Sequence, residues 1–418
     1  MAQMELMAPA GSFEAIASAV KAGANSIYFG IEQLNMRARS SINFTLEDLP
    51  KIVDMTASKG VKSYITLNTI IYDHDLRLMR EIVDASKAAG VNAIIASDHA
   101  VMSYCRRVGM PVHISTQANI TNIETVEFYS AFADVMVMAR ELSLKQVADI
   151  VREIERRQVK GPSGELVRIE IFGHGALCMA VSGKCYLSLH SHNASANRGA
   201  CIQNCRRSYI VIDKEEGYEL EIDNEYIMSA KDLCTIDFLD KIIEAGVSVL
   251  KIEGRGRSAD YVYVTTRCYR EAIDSIAEGT YTPEKIAEWK ERLATVYNRG
   301  FWDGYYLGRK LGEWSKEYGS AATKRKIYLG RGRKYFDRIG VAEFEMETHS
   351  LRVGDEIMIT GPTTGFIQTK VEELRIDDRP VEEVKKGDIF SVKVPEKVRP
   401  SDKLYKVVEV SQKAETEA

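Results

Sequence analysis

Residues 62–97, from Lys62 to Ser97, read KSYITLNTIIYDHDLRLMREIVDASKAAGVNAIIAS, and this stretch decides the fold. Lys62–Leu67 is a short apolar run of strand-forming residues. Asp75–Ala89 is amphipathic at helical spacing and ends in Ala89-Gly90, the glycine favoured after a helix C-terminus. Ala93–Ser97 is a second apolar run. Strand, helix, strand in that order predicts parallel pairing, because the crossover helix returns the chain to the same end of the sheet.

The alternation continues outward in both directions. Strand-like runs recur at Glu5–Ala8, Ser26–Gly30, Val112–Thr116, Val135–Ala139, Ile169–Phe172 and Val249–Ile252. Amphipathic helices lie at Ser12–Ala22, Leu46–Lys59 and Ser143–Arg157, and Ala22-Gly23 and Lys59-Gly60 repeat the C-terminal glycine. Eight such strands predict an α/β fold, a (β/α)8 TIM-like barrel, with a doubly wound open sheet as the alternative. Met7-Ala-Pro-Ala-Gly-Ser12 is a tight strand-to-helix turn without the glycine pattern of a dinucleotide site.

The barrel is expected over residues 1–282, with a cysteine-rich insert at 174–225. A helical and basic connector follows at 283–325, with its helix at Pro283–Ala294. From 326 to 412 the pattern changes to short alternating strands at Ile339–Glu345, Asp355–Thr360, Phe366–Leu374, Phe390–Val394 and Lys403–Glu409. With turns at Gly354-Asp355 and Gly387-Asp388, these predict a small antiparallel β-barrel domain. Ser411–Ala418 is a polar tail, expected to be disordered over 413–418.

With 56 basic and 60 acidic residues, a net charge of −4 excludes a histone-like binder but not a local basic patch. The N-terminus shows no basic stretch followed by an apolar core, and no apolar run approaches the ~18 residues of a membrane span. The expected location is cytoplasmic, without membrane contact, where thiols stay reduced.

Against that background the cysteines stand out. Cys178, Cys185, Cys201 and Cys205 are four of the chain's 7, strung along a polar segment with little core-forming sequence. They need a partner: a disulfide, a zinc ion or an iron–sulfur cluster. A reducing compartment and an odd count disfavour disulfides. Zinc usually takes close Cys-x-x-Cys pairs, which are lacking here, and the irregular spacing suits a loop wrapped around a cluster. Cys234 is an alternative fourth ligand or a buried apolar residue; Cys105 and Cys268 read as core.

In a barrel, reactive groups gather where strands end. Those ends carry Asn68, Asp98, Gln117, Asn119, Arg140, Glu141, Glu170, His174, Lys251, Glu253 and Arg255, with Asn35, Arg37 and Arg39 in the loop after the second strand. Glu170 and Glu253 sit in apolar strands, where a carboxylate must pair with a cation, orient a ligand or hold a proton. His174, between Gly173 and Gly175, reads equally as a packed loop histidine or a functional one. Further on, Lys324, Arg325, Lys326, Arg331 and Arg333 are interleaved with Tyr328, Tyr335 and Phe336, a combination suited to phosphate contacts and base stacking.

Several stretches resemble the signature of the collagenase-like peptidase family U-thirty-two. They are Glu170-Ile-Phe-Gly-His-Gly-Ala-Leu-Cys178, Gly183-Lys-Cys185-Tyr-Leu-Ser188, Ser115-Thr-Gln-Ala-Asn119, Asn197-Arg-Gly-Ala-Cys201 and Lys251-Ile-Glu-Gly-Arg255. The resemblance spans essentially the whole chain. It implies either a peptidase of unsettled catalytic type or an oxygen-independent hydroxylase carrying a [4Fe–4S] cluster. Such hydroxylases act on the wobble uridine of tRNA, giving 5-hydroxyuridine with prephenate as oxygen source, on ribosomal RNA, or on a quinone ring.

A cysteine protease needs one nucleophile and a zinc protease a His-Glu-x-x-His helix, which is absent; a cluster uses all four cysteines. The favoured reading is therefore a tRNA uridine 5-hydroxylase with Cys178, Cys185, Cys201 and Cys205 (Cys234 alternatively) as cluster ligands. Arg37, Arg39, Arg140 and Arg255 would clamp a small carboxylate co-substrate, and Asn68, Gln117, Asn119 and Lys251 would line its site. Glu170, His174 and Glu253 would orient groups or move protons. The basic run would grip tRNA, with or without a paralogous partner subunit.

Overall fold

The computed structural model describes residues 4–38, 43–207, 209–222, 229–308, 312–315 and 319–410. The polar tail Ser411–Ala418 lies outside them.

Seven parallel strands follow one another around the barrel: β1 (Glu5–Pro9), β2 (Ser26–Phe29), β3 (Lys62–Leu67), β4 (Ala93–Ala96), β5 (Val112–Ile114), β6 (Val135–Val137) and β7 (Arg168–Ala176). Helices α1 (Phe13–Lys21), α2 (Leu49–Ala57), α3 (Leu76–Ala89), α4 (His99–Val108), α5 (Ile123–Ser130) and α6 (Leu144–Arg157) return the chain between them. Side-chain caps start many of these helices: Ser12 accepts from Ala15, Asn122 from Thr125, and Ser143 forms a capping box with Gln146. Asp98, expected among the mouth groups, caps α4 and also accepts from the Ile71 amide.

After β7 come α7 (Leu187–His192), a hairpin of β8 (Tyr209–Ile212) and β9 (Glu219–Ile222), β10 (Asp232–Cys234) and α8 (Leu239–Glu244). The eighth barrel strand, β11 (Val249–Ile252), pairs in parallel with both β7 and β1, so the sheet closes and the open-sheet alternative falls. Helices α9 (Ala259–Ala277) and α10 (Pro283–Ala294) follow. Two departures from expectation concern β7. It runs on to Ala176, so His174 lies in a strand, not in a loop, and the insert starts later than 174. It also pairs antiparallel with β10, which carries β12 (Phe301–Trp302) as a further strand.

The barrel interior is filled by Met7, Tyr28, Tyr64, Ala93, Ile95, Val135 and Val249, while a separate, larger core lies between strands and helices. At the N-terminal end of the strands, Glu5 accepts from the Tyr64 hydroxyl at 2.7 Å and from Arg168 at 3.1 Å, with Lys62 3.5 Å away. Burial raises the Glu5 carboxyl, but the Tyr64 hydrogen bond and the positive charges of Lys62 and Arg168 outweigh it and hold it at about 2.

The C-terminal domain has its own core, including Leu329, Phe344, Ile357, Ile359, Phe390 and Leu404. The basic run expected as a connector is its longest strand, β13 (Lys324–Phe336), so Lys324 and Arg325 belong to this domain. β13 pairs with Lys403–Glu409 on one side and Val341–Met346 on the other, in an eight-stranded antiparallel sheet. Gly330 and Gly332 lie where its register shifts; a Cβ on Gly330 would stand 1.8 Å from the Glu345 carbonyl oxygen, so only glycine lets the strand cross there. The domain is built of antiparallel strands as expected, and the run at Phe366–Leu374 divides into Gly365–Lys370 and Leu374–Ile376. The domain packs on α1 and α9: Lys21 donates to the Phe366 carbonyl at 2.8 Å, and Tyr263 lies 4.8 Å from the Phe366 ring. No helix among the described residues is long and apolar enough to cross a membrane.

A Glu5 carboxyl held at about 2 against an ordinary 4.5 stabilises the fold at neutral pH. That contribution is complete above about pH 4.5 and is lost as pH falls toward 2. Glu5→Gln is expected to cost about 3 kcal/mol in urea denaturation at neutral pH. The gap between variant and parent should close as the pH is lowered through that window.

Candidate functional site

The C-terminal ends of the barrel strands bring most of the expected groups together. Arg37 donates to Glu253 at 2.9 Å. Arg255, buried, donates to Thr66 Oγ1 at 2.7 Å, and burial pushes its guanidinium down to about 10, still positive at neutral pH. Two glycines make room for it. A Cβ on Gly30 would stand 2.2 Å from Arg255 Nη1, and one on Gly11 would stand 2.0 Å from the Arg255 carbonyl oxygen. Arg140 lies 3.8 Å over the Phe172 ring and donates to the Ala176 carbonyl at 3.0 Å, leaving its buried Nε without a partner. Asn68 donates to Ser115 Oγ and to Gln117 Oε1, both at 3.1 Å. Asn119 closes a turn after β5 with a left-handed backbone at φ 55°. Arg39 lies outside the described residues.

Sequence reasoning missed Tyr28, Thr66 and Arg257. Tyr28 donates to the Ile252 carbonyl at 3.0 Å, and burial, then Glu253, push its phenol well up. Its place near the end of β2 was the available signal. Arg257 lies 3.4 Å from the Tyr297 ring centre and acts on Glu253. Burial raises the Glu253 carboxyl, but Arg37, then Arg140 and Arg257, pull it below the ordinary range. Arg37, Arg140, Arg255 and Arg257 thus face one carboxylate, and the mouth carries excess positive charge.

Glu170 and Lys251 lie deeper. Lys251 donates to Glu170 Oε1 at 2.8 Å and sits 4.5 Å over the Tyr28 ring, with side-chain exposures of 6% and 0% for the pair. Burial still raises the Glu170 carboxyl despite that contact. Its other oxygen is 3.9 Å from His113 Nδ1, and neither atom has a hydrogen-bond partner. Burial lowers His113 to about 3, so the imidazole is neutral and this approach is not an ion pair.

His174 is not a mouth residue. Its ring is enclosed by Tyr261, Tyr269 and Phe301, and Nδ1 meets the Tyr269 hydroxyl at 3.3 Å. The same hydroxyl lies 3.8 Å from Cys234 Sγ. Burial takes His174 down to about 3 and Cys234 up to about 11, so both stay neutral. A cysteine protease needs the opposite, a thiolate beside an imidazolium.

The cysteine segment is strapped across the mouth. The Ile70 amide donates to the Asn197 carbonyl at 3.1 Å, Arg198 reaches Asp75 at 2.5 Å, and Gly183 packs against Gln117. Cys178 is exposed and Cys185, Cys201 and Cys205 are half-buried, all as free thiols. Burial raises the Cys205 thiol, Arg206 lowers it, and Cys178, Cys201 and Cys185 raise it further, which places the four in one electrostatic neighbourhood. Cys201 also acts on Arg37, tying the thiols to the mouth. Cys234 instead has Tyr269, Asp237 and Lys290 as neighbours. Among the described residues no three His, Cys, Asp or Glu side chains form a site for a single metal ion.

The basic run is largely neutralised on β13. Lys324 pairs with Glu356 and Lys326 with Asp260, both at 2.7 Å, Arg331 with Glu347, and Arg333 approaches Glu343 at 3.8 Å. Arg325 is exposed.

The profile of peptidase family U32 matches residues 11–316, and the chain belongs to this family. A collagenase of Porphyromonas gingivalis is 61% identical over 402 residues, covering 96% of this chain and 97% of that one. The tRNA hydroxylation protein P1 of Bacillus subtilis is 29% identical over 415 residues, covering 96% of this chain and 94% of the other. The solved U32 peptidase Mk0906 is 13% identical with a TM-score of 0.39, covering 61% of this chain and 95% of its own.

Lys251→Met would leave a buried carboxyl unpaired and is expected to cost ~3–5 kcal/mol in urea denaturation. Lys251→Met/Glu170→Leu should recover most of that loss. Equal destabilisation by the single and double variants would show that Lys251 acts through contacts other than Glu170.

Proposed function

We propose that this chain is a tRNA hydroxylation protein. It converts the wobble uridine to 5-hydroxyuridine without molecular oxygen, with prephenate as oxygen source and a [4Fe–4S] cluster on Cys178, Cys185, Cys201 and Cys205. The observation that carries the reading is the pairing of four free thiols with a guanidinium-rich mouth directly beneath them. Held by those thiolates, a cluster supplies electron-transfer and Lewis-acid chemistry.

The irregular sequence spacing of the four thiols suits a multi-iron cluster better than the close Cys-x-x-Cys pairs of a single tetrahedral zinc. Arg37, Arg140 and Arg255 offer planar forks to the carboxylates of a small dianion, and Glu253 fixes the orientation of Arg37. Asn68 holds Gln117 through its Oε1, and the Gln117 amide nitrogen is of the kind that recognises a uracil carbonyl. Lys251 and Glu170 hold a shareable proton below the mouth. The homologous tRNA hydroxylation protein of B. subtilis, aligned over almost the whole chain, supports the substrate class.

The name of the P. gingivalis relative favours a second reading, a peptidase. The sealed, neutral His174–Tyr269–Cys234 cluster argues against a cysteine-protease mechanism built on those residues.

In anaerobically purified protein, Cys205→Ala is expected to lose most iron and sulfide and Cys234→Ala to retain both. The reverse result would make Cys234 the fourth ligand, and stoichiometric zinc without iron would end the cluster reading. Deletion of the gene in a host lacking a paralogue should abolish 5-hydroxyuridine-type nucleosides in digested tRNA. Unchanged nucleosides, together with gelatin cleavage abolished by Cys178→Ser, would establish the peptidase instead.

A further inference from the structure

We infer that single-stranded RNA docks on the cysteine segment itself, across Lys184, Tyr186, Arg207 and Tyr209, with Tyr72 of the loop after β3 completing the rim. This placement rests on the tRNA reading above and assigns that substrate a surface other than β13.

Charge supplies the first argument. From Ile171 to Ile212 the chain contains no Asp or Glu, although acidic residues slightly outnumber basic ones overall. A peptide-binding or self-associating surface has no general need of such depletion, whereas a phosphate backbone is repelled by every carboxylate near it. Lys184 and Arg207 are exposed and have no carboxylate partner among the described residues. The cations of β13 differ, because Lys324, Lys326, Arg331 and Arg333 already face Glu356, Asp260, Glu347 and Glu343. A phosphate arriving at any of these four would have to displace a carboxylate, which leaves Arg325 and Lys334 as the cations of β13 without a carboxylate partner among the described residues.

Exposed rings supply the second. Tyr186 is 73% exposed, Tyr72 49% and Tyr209 37%. Two of the three are held in place while still partly exposed. Tyr209 donates to the Asn204 carbonyl at 2.6 Å, and Arg198, fixed to Asp75, lies 4.3 Å over Tyr72. Exposed rings near unpaired cations are stacking platforms for unpaired bases, and a paired duplex offers no free base to them.

Position supplies the third. The segment is strapped to the strand ends at Asn197–Ile70 and Gly183–Gln117, so a strand lying on it carries one of its bases to the mouth. A grip on β13 alone would have to reach the mouth from the side of the barrel where α9 begins.

The experiment uses full-length protein, purified anaerobically, and three probes: an RNA hairpin with a uridine-containing loop, a paired RNA duplex of the same length, and a gelatin peptide. Tyr186→Ala should weaken hairpin binding about tenfold, with Tyr186→Phe close to the parent. Tyr72→Ala should weaken it similarly, and this residue lies outside the cysteine segment. Lys184→Ala/Arg207→Ala should flatten the slope of log affinity against log salt by about 1.4. Iron per chain, measured alongside, identifies any variant whose segment has collapsed. If Arg331→Ala/Arg333→Ala weakens hairpin binding more than Tyr186→Ala and Tyr72→Ala do, the placement is wrong while the tRNA reading stands. If the parent protein binds hairpin no better than duplex, the tRNA reading itself fails. Gelatin-peptide binding that is lost in Tyr186→Ala would give the surface to a protein substrate.

Discussion

The structure depends on one seam. β11 must pair with β7 on one side and with β1 on the other, and only then do eight strand ends form a ring. The Lys251–Glu170 pair lies across the β11–β7 half of that seam, buried on both sides. Two charges removed from water are tolerable only when each satisfies the other, so the pair penalises slipped alignments of these two strands more than it adds net stability. From the same seam the chain emerges as Glu253, Gly254 and Arg255. The place of these mouth residues is therefore set by the closure of the barrel, not by the loops around them.

Above the seam, charge is sorted by depth. At the far end Glu5 faces two cations, Arg168 and Lys62, and Lys251 and Glu170 cancel in the middle. At the mouth guanidiniums exceed carboxylates. An anion entering from outside meets uncompensated positive charge only at the level where Cys201 and Arg37 influence each other. A buried ion pair, a cation-rich rim and a thiol-bearing strap thus follow one another from the middle of the barrel outward.

Much of the fold was legible because its period was clean. Short apolar runs alternating with amphipathic helices closed by glycine gave the eight strands and their order, and the cysteines announced themselves by clustering in polar sequence. What was illegible depended on orientation. Asp98 stands at a strand end like Asn68, but the helix behind it claims its carboxylate as a cap. His174 follows β7 residues that face the axis, yet the irregular register beside Ile252 turns its ring into an aromatic enclosure. The glycines around it reflect crowding: a Cβ on Gly173 would stand 2.6 Å from Leu250. The basic run of β13 reads as a linker because its outward residues are charged, and Leu329, buried on the other face, is too sparse a signal against them. No linear pattern shows that carboxylates from distant segments will neutralise it.

The docking of the C-terminal domain on α1 and α9 bears on how the chain is made. These two helices flank β1 and β11, so the domain covers the join between the first and last barrel strands. Gly365 allows its backbone to approach α1 closely, where a Cβ would stand 3.0 Å from the Ala17 carbonyl carbon. A chain emerging from the ribosome holds β1 unpaired on one side until Val249–Ile252 appears, and its cover arrives only with Phe366 and Glu396, the partners of Lys21. Until β11 pairs, the half-closed sheet exposes an edge open to association. The C-terminal domain, made last, then covers the outside of that join through α1 and α9.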